Sequence, residues 1–122
     1  MKLAIETHGT GQPLVLIHGM GSAATAWQPI IPALAKQFSV VTIDLPGHGR
    51  TPYSPIQKMD PTSLAQLVLK NLKNIGIESF HLVANSLGGW ISFEIAVLNP
   101  AAVKSITALA PAGLWLTPFT SR

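Results

Sequence analysis

The 122-residue sequence contains no cysteine. That absence excludes a disulfide framework, a thiolate metal site and a cysteine nucleophile, and it fits a reducing compartment. Charge is also scarce. Charged residues make up 11% and hydrophobic ones 48%, which describes a packed domain with few solvated faces and enough chain for one real core. No sign of charge is clustered. Eight basic and five acidic residues leave a net charge of +3, but Lys2, Lys36, Lys58, Lys70, Lys73 and Lys104 are scattered, with only Lys70 and Lys73 on a shared helical face. A nucleic-acid surface would want a basic stripe interleaved with aromatics, so no nucleic-acid partner is expected. Long apolar runs are missing as well. The most apolar tract, ITALAPAGLWLTPF, holds two prolines and is too short for a bilayer. The opening MKLAIE has no apolar stretch of signal-peptide length. The expectation is a cytoplasmic protein with no membrane partner.

What is present is an alternation of two periodicities. Apolar, β-branched runs at residues 2–7, 14–18, 39–45, 80–84 and 105–110 read as strands, four of them buried on both faces. Helical spacing occupies residues 25–36, 63–75 and 87–98, and a Gly- and Pro-rich loop fills 46–61. Such alternation predicts a three-layer α/β/α domain over residues 1–122, built on a mostly parallel sheet of about five strands. No helical pattern follows the last strand, so an apolar face or open strand edge is expected there, with self-association or a complementing chain as its partner.

The chemistry concentrates at three strand ends. His18-Gly19-Met20-Gly21 follows the second strand, and Asp44-Leu45-Pro46-Gly47-His48-Gly49 follows the third. Ala84-Asn85-Ser86-Leu87-Gly88 lies between the fourth strand and a helix. This last stretch fits the strand–turn–helix setting of G-x-S-x-G, with Ala84 where glycine is usual. The turn is tight, so the residues two before and two after the serine must be small. An isolated serine here would read simply as the N-cap of helix 87–98.

Taken together with Pro111-Ala112-Gly113, the three motifs resemble the N-terminal half of an α/β-hydrolase-fold enzyme, over essentially the whole chain. The resemblance implies strand order 1-3-2-4-5 with the first strand antiparallel. It implies Ser86 as nucleophile, with the backbone N–H groups of Met20 and Leu87 as oxyanion-hole donors. Asn85 and His18 become neighbours of a small acyl substrate. No metal or organic cofactor is implied. Esters are the expected substrates, with carbon–carbon bond hydrolysis open because N-S-L-G-G and P-A-G-L-W look like segments of such enzymes.

One thing is lacking. In this fold the triad runs Ser, then Asp or Glu, then His along the chain. After Ser86 the only acid is Glu94, and all four histidines (His8, His18, His48, His81) precede the serine. The expectation is a serine hydrolase incomplete as this chain, with the lid and the C-terminal part of the triad absent. Two alternatives stay open. One is a non-catalytic half-module that needs a second chain. The other is a dinucleotide-binding domain, because Gly19-x-Gly21-x-x-Ala24 is followed at the next strand end by Asp44, where a ribose-binding acid would sit.

Overall fold

The computed structural model describes residues 1–114; Trp115, the last residue of the P-A-G-L-W segment, lies outside the described residues. Five strands form one sheet: β1 (Ala4–His8), β2 (Gln12–Ile17), β3 (Phe38–Asp44), β4 (Phe80–Asn85) and β5 (Val103–Leu109). Their order is β1-β3-β2-β4-β5, with β1 antiparallel to β3 and all other pairs parallel. This is the order that the family resemblance implies.

Alternation along the central strands divides the core between two faces. Val15, Ile17, Val41, Ile43, Leu82 and Ala84 point to one side, where they meet α2 (Pro61–Asn74) and α3 (Leu87–Leu98) through Leu64, Val68, Leu72, Ile91 and Ile95. Leu14, Leu16 and Val40 point to the other side, under Trp27 and the half-buried Ile31, Leu34 and Ala35. Cover on this second face is thin, and the sequence expectation differs from the structure here. The pattern over 25–36 predicts one helix. The structure has a 3-10 turn at Ala24–Trp27 and a four-residue α1 at Ile31–Leu34. Pro29 and Pro32 explain the break. Each lacks the N–H for an i→i−4 bond, and each ring crowds the turn before it.

The α2 start also differs. The helix begins at Pro61 rather than at residue 63: Asp60 caps it, its carboxylate accepting from the Ser63 N–H at 2.9 Å, and Pro61 takes the first position, where a missing N–H costs nothing.

Strand order locates the chemistry. From the central β2 the chain crosses to β3 on one side, then to β4 on the other. The carboxyl ends of β2 and β4 therefore flank the point where the winding reverses, the place where open α/β sheets bind ligands. Both glycine-bearing loops, residues 18–21 and 85–88, leave the sheet there.

The outer strand β5 is only partly covered. Lys104, Ser105, Thr107 and Leu109 are exposed along it, as are Phe93 and Val97 on α3. No described helix is long and apolar enough to cross a membrane.

Candidate active site

Ser86 sits at the step from β4 into α3 with φ +51° and ψ −114°. A non-glycine residue at positive φ costs on the order of 1–3 kcal/mol and persists only where its surroundings enforce it. Four backbone bonds do so. The Ser86 N–H donates to the Leu109 carbonyl at 3.0 Å, and the Ser86 carbonyl accepts from the N–H groups of Gly89, Trp90 and Ala112 at 3.0, 3.3 and 2.9 Å. The end of β5 and the segment after it thus hold the turn. The Ser86 side chain makes no capping bond to α3, so the simple helix-cap reading fails.

The small residues around Ser86 have separate reasons. A Cβ on Gly88 would collide with the Ile17 carbonyl oxygen and lie 2.8 Å from that of His18, so α3 can approach the end of β2 only with glycine there. A Cβ on Gly89 would lie 2.7 Å from Pro111 Cβ, in the segment that locks the turn. Ala84, by contrast, is fully buried between Ile17 and Ala108. Its methyl fills core, and the turn forms despite it.

The loop after β2 faces this turn. A Cβ on Gly19 would lie 3.3 Å from Ser86 Cβ and 3.4 Å from the Asn85 carbonyl. The loop and the elbow are therefore in contact. Met20, next in the loop, is 71% exposed. Among the described residues no group accepts from the N–H of Met20 or of Leu87, so both expected donors are uncommitted. Beside the turn is a recess of about 240 Å³ walled by His18, Gly19, Ser22, Ala26, Trp27, Asn85 and Leu109. His18 and Asn85, the two substrate neighbours expected from sequence, meet here. Trp27 was legible only as a core residue, and its indole N–H is buried without a partner. A much larger groove of about 1210 Å³ runs along β1. It has none of Ser86, Leu87, Gly19 or Asn85 in its walls, and its volume reflects an open sheet edge rather than a built site.

None of the described histidines is hydrogen-bonded to Ser86. His18 Nδ1 donates to the Gly19 carbonyl at 2.7 Å, and its Nε2 accepts from the Leu45 N–H at 3.0 Å. Burial holds this imidazole below its usual range; the Gly19 carbonyl pulls the other way, the nearby His48 ring adds to the lowering, and Asp44 opposes it. His48 donates from Nδ1 to the Pro46 carbonyl at 3.0 Å and accepts the Gly21 N–H at Nε2, 2.9 Å away. His8 ends β1, near Glu6 at 3.5 Å. His81 lies on β4 near its opposite end, between Ser105 Oγ at 2.7 Å and Gln12 Oε1 at 2.8 Å. Glu94, the one acid after Ser86, accepts from Thr62 on α2 at 3.3 Å.

Asp44 is also committed. Its carboxylate accepts the N–H of Ala24 at 2.8 Å and of Arg50 at 3.1 Å, and it is only 6% exposed. A ribose-binding acid would present free oxygens to the ligand. Here they pin two loops together, which argues against the dinucleotide-binding alternative.

A family model described as "alpha/beta hydrolase fold" matches residues 12–121. The chain is 40% identical over 104 residues to the dihydrolipoyllysine-residue acetyltransferase component of an acetoin cleaving system of Pseudomonas putida, covering 85% of this chain and 28% of that protein. It is 38% identical over 104 residues to a pimeloyl-[acyl-carrier protein] methyl ester esterase of Legionella pneumophila, covering 85% of this chain and 40% of that one. Among solved structures, the epoxide hydrolase CorEH superposes with a TM-score of 0.89 at 28% identity, over 98% of this chain and 42% of the other. The chain thus spans well under half the length of these relatives. Its strand order, its strained serine turn and the match over residues 12–121 agree, and the chain belongs to the alpha/beta hydrolase fold family.

Proposed function

We propose that this chain carries the nucleophile and oxyanion-hole portion of a serine hydrolase that cleaves carboxylic esters or a related acyl or carbon–carbon bond through an acyl-enzyme on Ser86. The observation that carries the reading is the strained Ser86 turn, with its side chain uncommitted and its Cβ against the Gly19 loop. In this reading the Ser86 oxygen attacks a carbonyl carbon. The N–H groups of Met20 and Leu87 then hold the resulting oxyanion, each donor contributing on the order of 3 kcal/mol. His18, Trp27, Asn85 and Leu109 wall the space for the acyl group.

The relatives include an esterase and an epoxide hydrolase, and the residue at the turn favours the first chemistry. A serine that acylates forms an ester, which water can cleave. A serine that opened an epoxide would be left as an ether, which water does not cleave under these conditions. Turnover on an epoxide would end after one event.

A base is still needed, since a serine hydroxyl is a weak nucleophile at its own pKa. No histidine follows His81 in the sequence, and the histidines near the turn are committed to backbone groups. We infer that the acid and the histidine come from residues outside this sequence, in the same or a complementing polypeptide, which would also cover β5 and α3.

The test is fluorophosphonate labelling of the chain, read by mass spectrometry of the peptide around Ser86, with and without added imidazole as a surrogate base. The expected result is slow labelling that imidazole accelerates and Ser86→Ala abolishes. Labelling that falls elsewhere, with Ser86 untouched under both conditions, would overturn the assignment.

A further inference from the structure

We propose that His18 and His48 form a reciprocal clasp between the loops after β2 and β3, which positions the Met20 N–H and which holds only while both imidazoles are neutral. The functional half of this inference rests on the Ser86 reading; the clasp itself does not.

A backbone N–H has one hydrogen-bonding role. It donates and cannot accept, so a ring nitrogen facing one must present its lone pair. His18, in the first loop, accepts at Nε2 from the N–H of Leu45, just beyond β3, 3.0 Å away. His48, in the second loop, accepts at Nε2 from the N–H of Gly21 in the first, 2.9 Å away. Each ring therefore carries its proton on Nδ1, and each gives that proton to a carbonyl of its own loop, Gly19 for His18 and Pro46 for His48. Each loop thus lends one imidazole to the other's backbone. The rings lie 5.0 Å apart between centroids, close enough that two positive charges there would repel.

The bonded groups bracket the donor. Gly19 and Gly21 flank Met20, and both are tied to the clasp through their carbonyl and N–H groups. Ser22 N–H closes back on the Gly19 carbonyl at 3.1 Å, which fixes the turn between them. With both neighbours held, the Met20 peptide keeps one orientation although its side chain is exposed. Protonation of Nε2 on either ring would set a second donor against the N–H it now accepts. One bond would be lost and the loops would part.

The titratable and charged groups around His48 are few. His18 faces it from the first loop, and Asp44 from the end of β3 has both oxygens on backbone N–H groups. Arg50, in the same loop as His48, extends to Glu6 on β1, and Tyr53 lies beside Gly47. Among the described residues no carboxylate beside His48 is free to pair with it once protonated. Burial opposes protonation of His18, and His48 is half-buried.

Proton-exchange-independent NMR of the ¹⁵N-labelled chain tests the clasp directly. At about pH 8, long-range ring correlations should place the proton on Nδ1 of both histidines. As pH falls, the Gly21 amide should move together with the His48 ring. In His48→Gln, whose side-chain oxygen can still accept but cannot titrate, Gly21 should stay near its pH 8 position. A His48 protonated on Nε2 at high pH, or a Gly21 amide indifferent to the His48 titration, would overturn the clasp, and the wild-type spectra decide this even if the variant does not fold. The functional arm is imidazole-assisted fluorophosphonate labelling of Ser86, corrected for the neutral fraction of added imidazole. Between neutral pH and about pH 5 it should fall at least about tenfold in the wild type and less than about threefold in His48→Gln. A purely structural role would lower the rate equally at every pH. Parallel falls in both proteins would break the link to Met20, whereas absence of labelling at any pH would sink the serine-hydrolase reading and leave the spectra to judge the clasp.

Discussion

Two serine-bearing sites lie at opposite ends of the same parallel strands, and they differ in instructive ways. At the far end, Ser105, His81 and Gln12 form a chain of hydrogen bonds at 2.7 and 2.8 Å, with Lys104 3.5 Å from the same Gln12 oxygen. Its outline is that of a triad. At the near end, no described histidine is hydrogen-bonded to Ser86. Yet Ser105 lies within an ordinary exposed strand, with no strained backbone and no glycine loop against it. Ser86 has positive φ, uncommitted N–H donors on two sides and a walled recess. A hydroxyl hydrogen-bonded to an imidazole is common on protein surfaces. A hydroxyl forced out of a turn toward free donors is not, because it costs stability to keep. The backbone, more than the side-chain partners, distinguishes the candidate nucleophile.

Substitutions at the two ends would test how far they differ. The largest effect is expected for Ser86→Ala, which should remove all fluorophosphonate adduct at the elbow peptide, whereas Ser105→Ala should leave that adduct unchanged in mass spectra. Next comes Gly88→Ala. Its Cβ meets backbone oxygens of Ile17 and His18, which cannot rotate away, so a loss of about 3 kcal/mol or more is expected in urea unfolding. Stability should also depend on pH through His18. Its folded-state pKa is depressed by burial, so the unfolded chain binds the proton more readily. The stability associated with neutral His18 is fully present above the ordinary imidazole range and is lost as pH falls through that range toward the lowered folded value. The urea midpoint should therefore drop between about pH 7.5 and pH 5, and a midpoint that rose would contradict the buried, neutral assignment. The smallest effect belongs to the far site: Ser105→Ala should shift stability by no more than about 0.5 kcal/mol in the same titration.

Most of the frame was legible from residue patterns. Buried strands announce themselves as unbroken β-branched runs, so β2, β3 and β4 could be placed within a residue or two of where they lie. The turn at Ser86 was legible because Gly88 and the preceding apolar strand constrain it locally. What could not be read depends on contacts between distant segments. The helix expected over 25–36 gave way because Pro29 and Pro32 outweighed its apolar spacing, and the thin second face followed from that. Asp44 stood at the position of a ribose-binding acid, and only the placement of Ala24 and Arg50 against it showed that its oxygens were spent. His18 was expected only beside the substrate, and His48 stood out only as part of the loop after β3. Their reciprocity needed both loops in space, though two HG pairs at the ends of adjacent parallel strands were the available signal.

The bonds that lock the Ser86 turn have a temporal consequence. The N–H of Ser86 reaches the Leu109 carbonyl, and its carbonyl takes the N–H of Ala112. During synthesis the serine therefore leaves the ribosome well before the segment that strains it. Until β5 has added to the sheet, Ser86 is an ordinary residue free to relax to negative φ. The strained turn therefore forms late, after the surrounding sheet, so a nascent or partly folded chain would not hold Ser86 at positive φ.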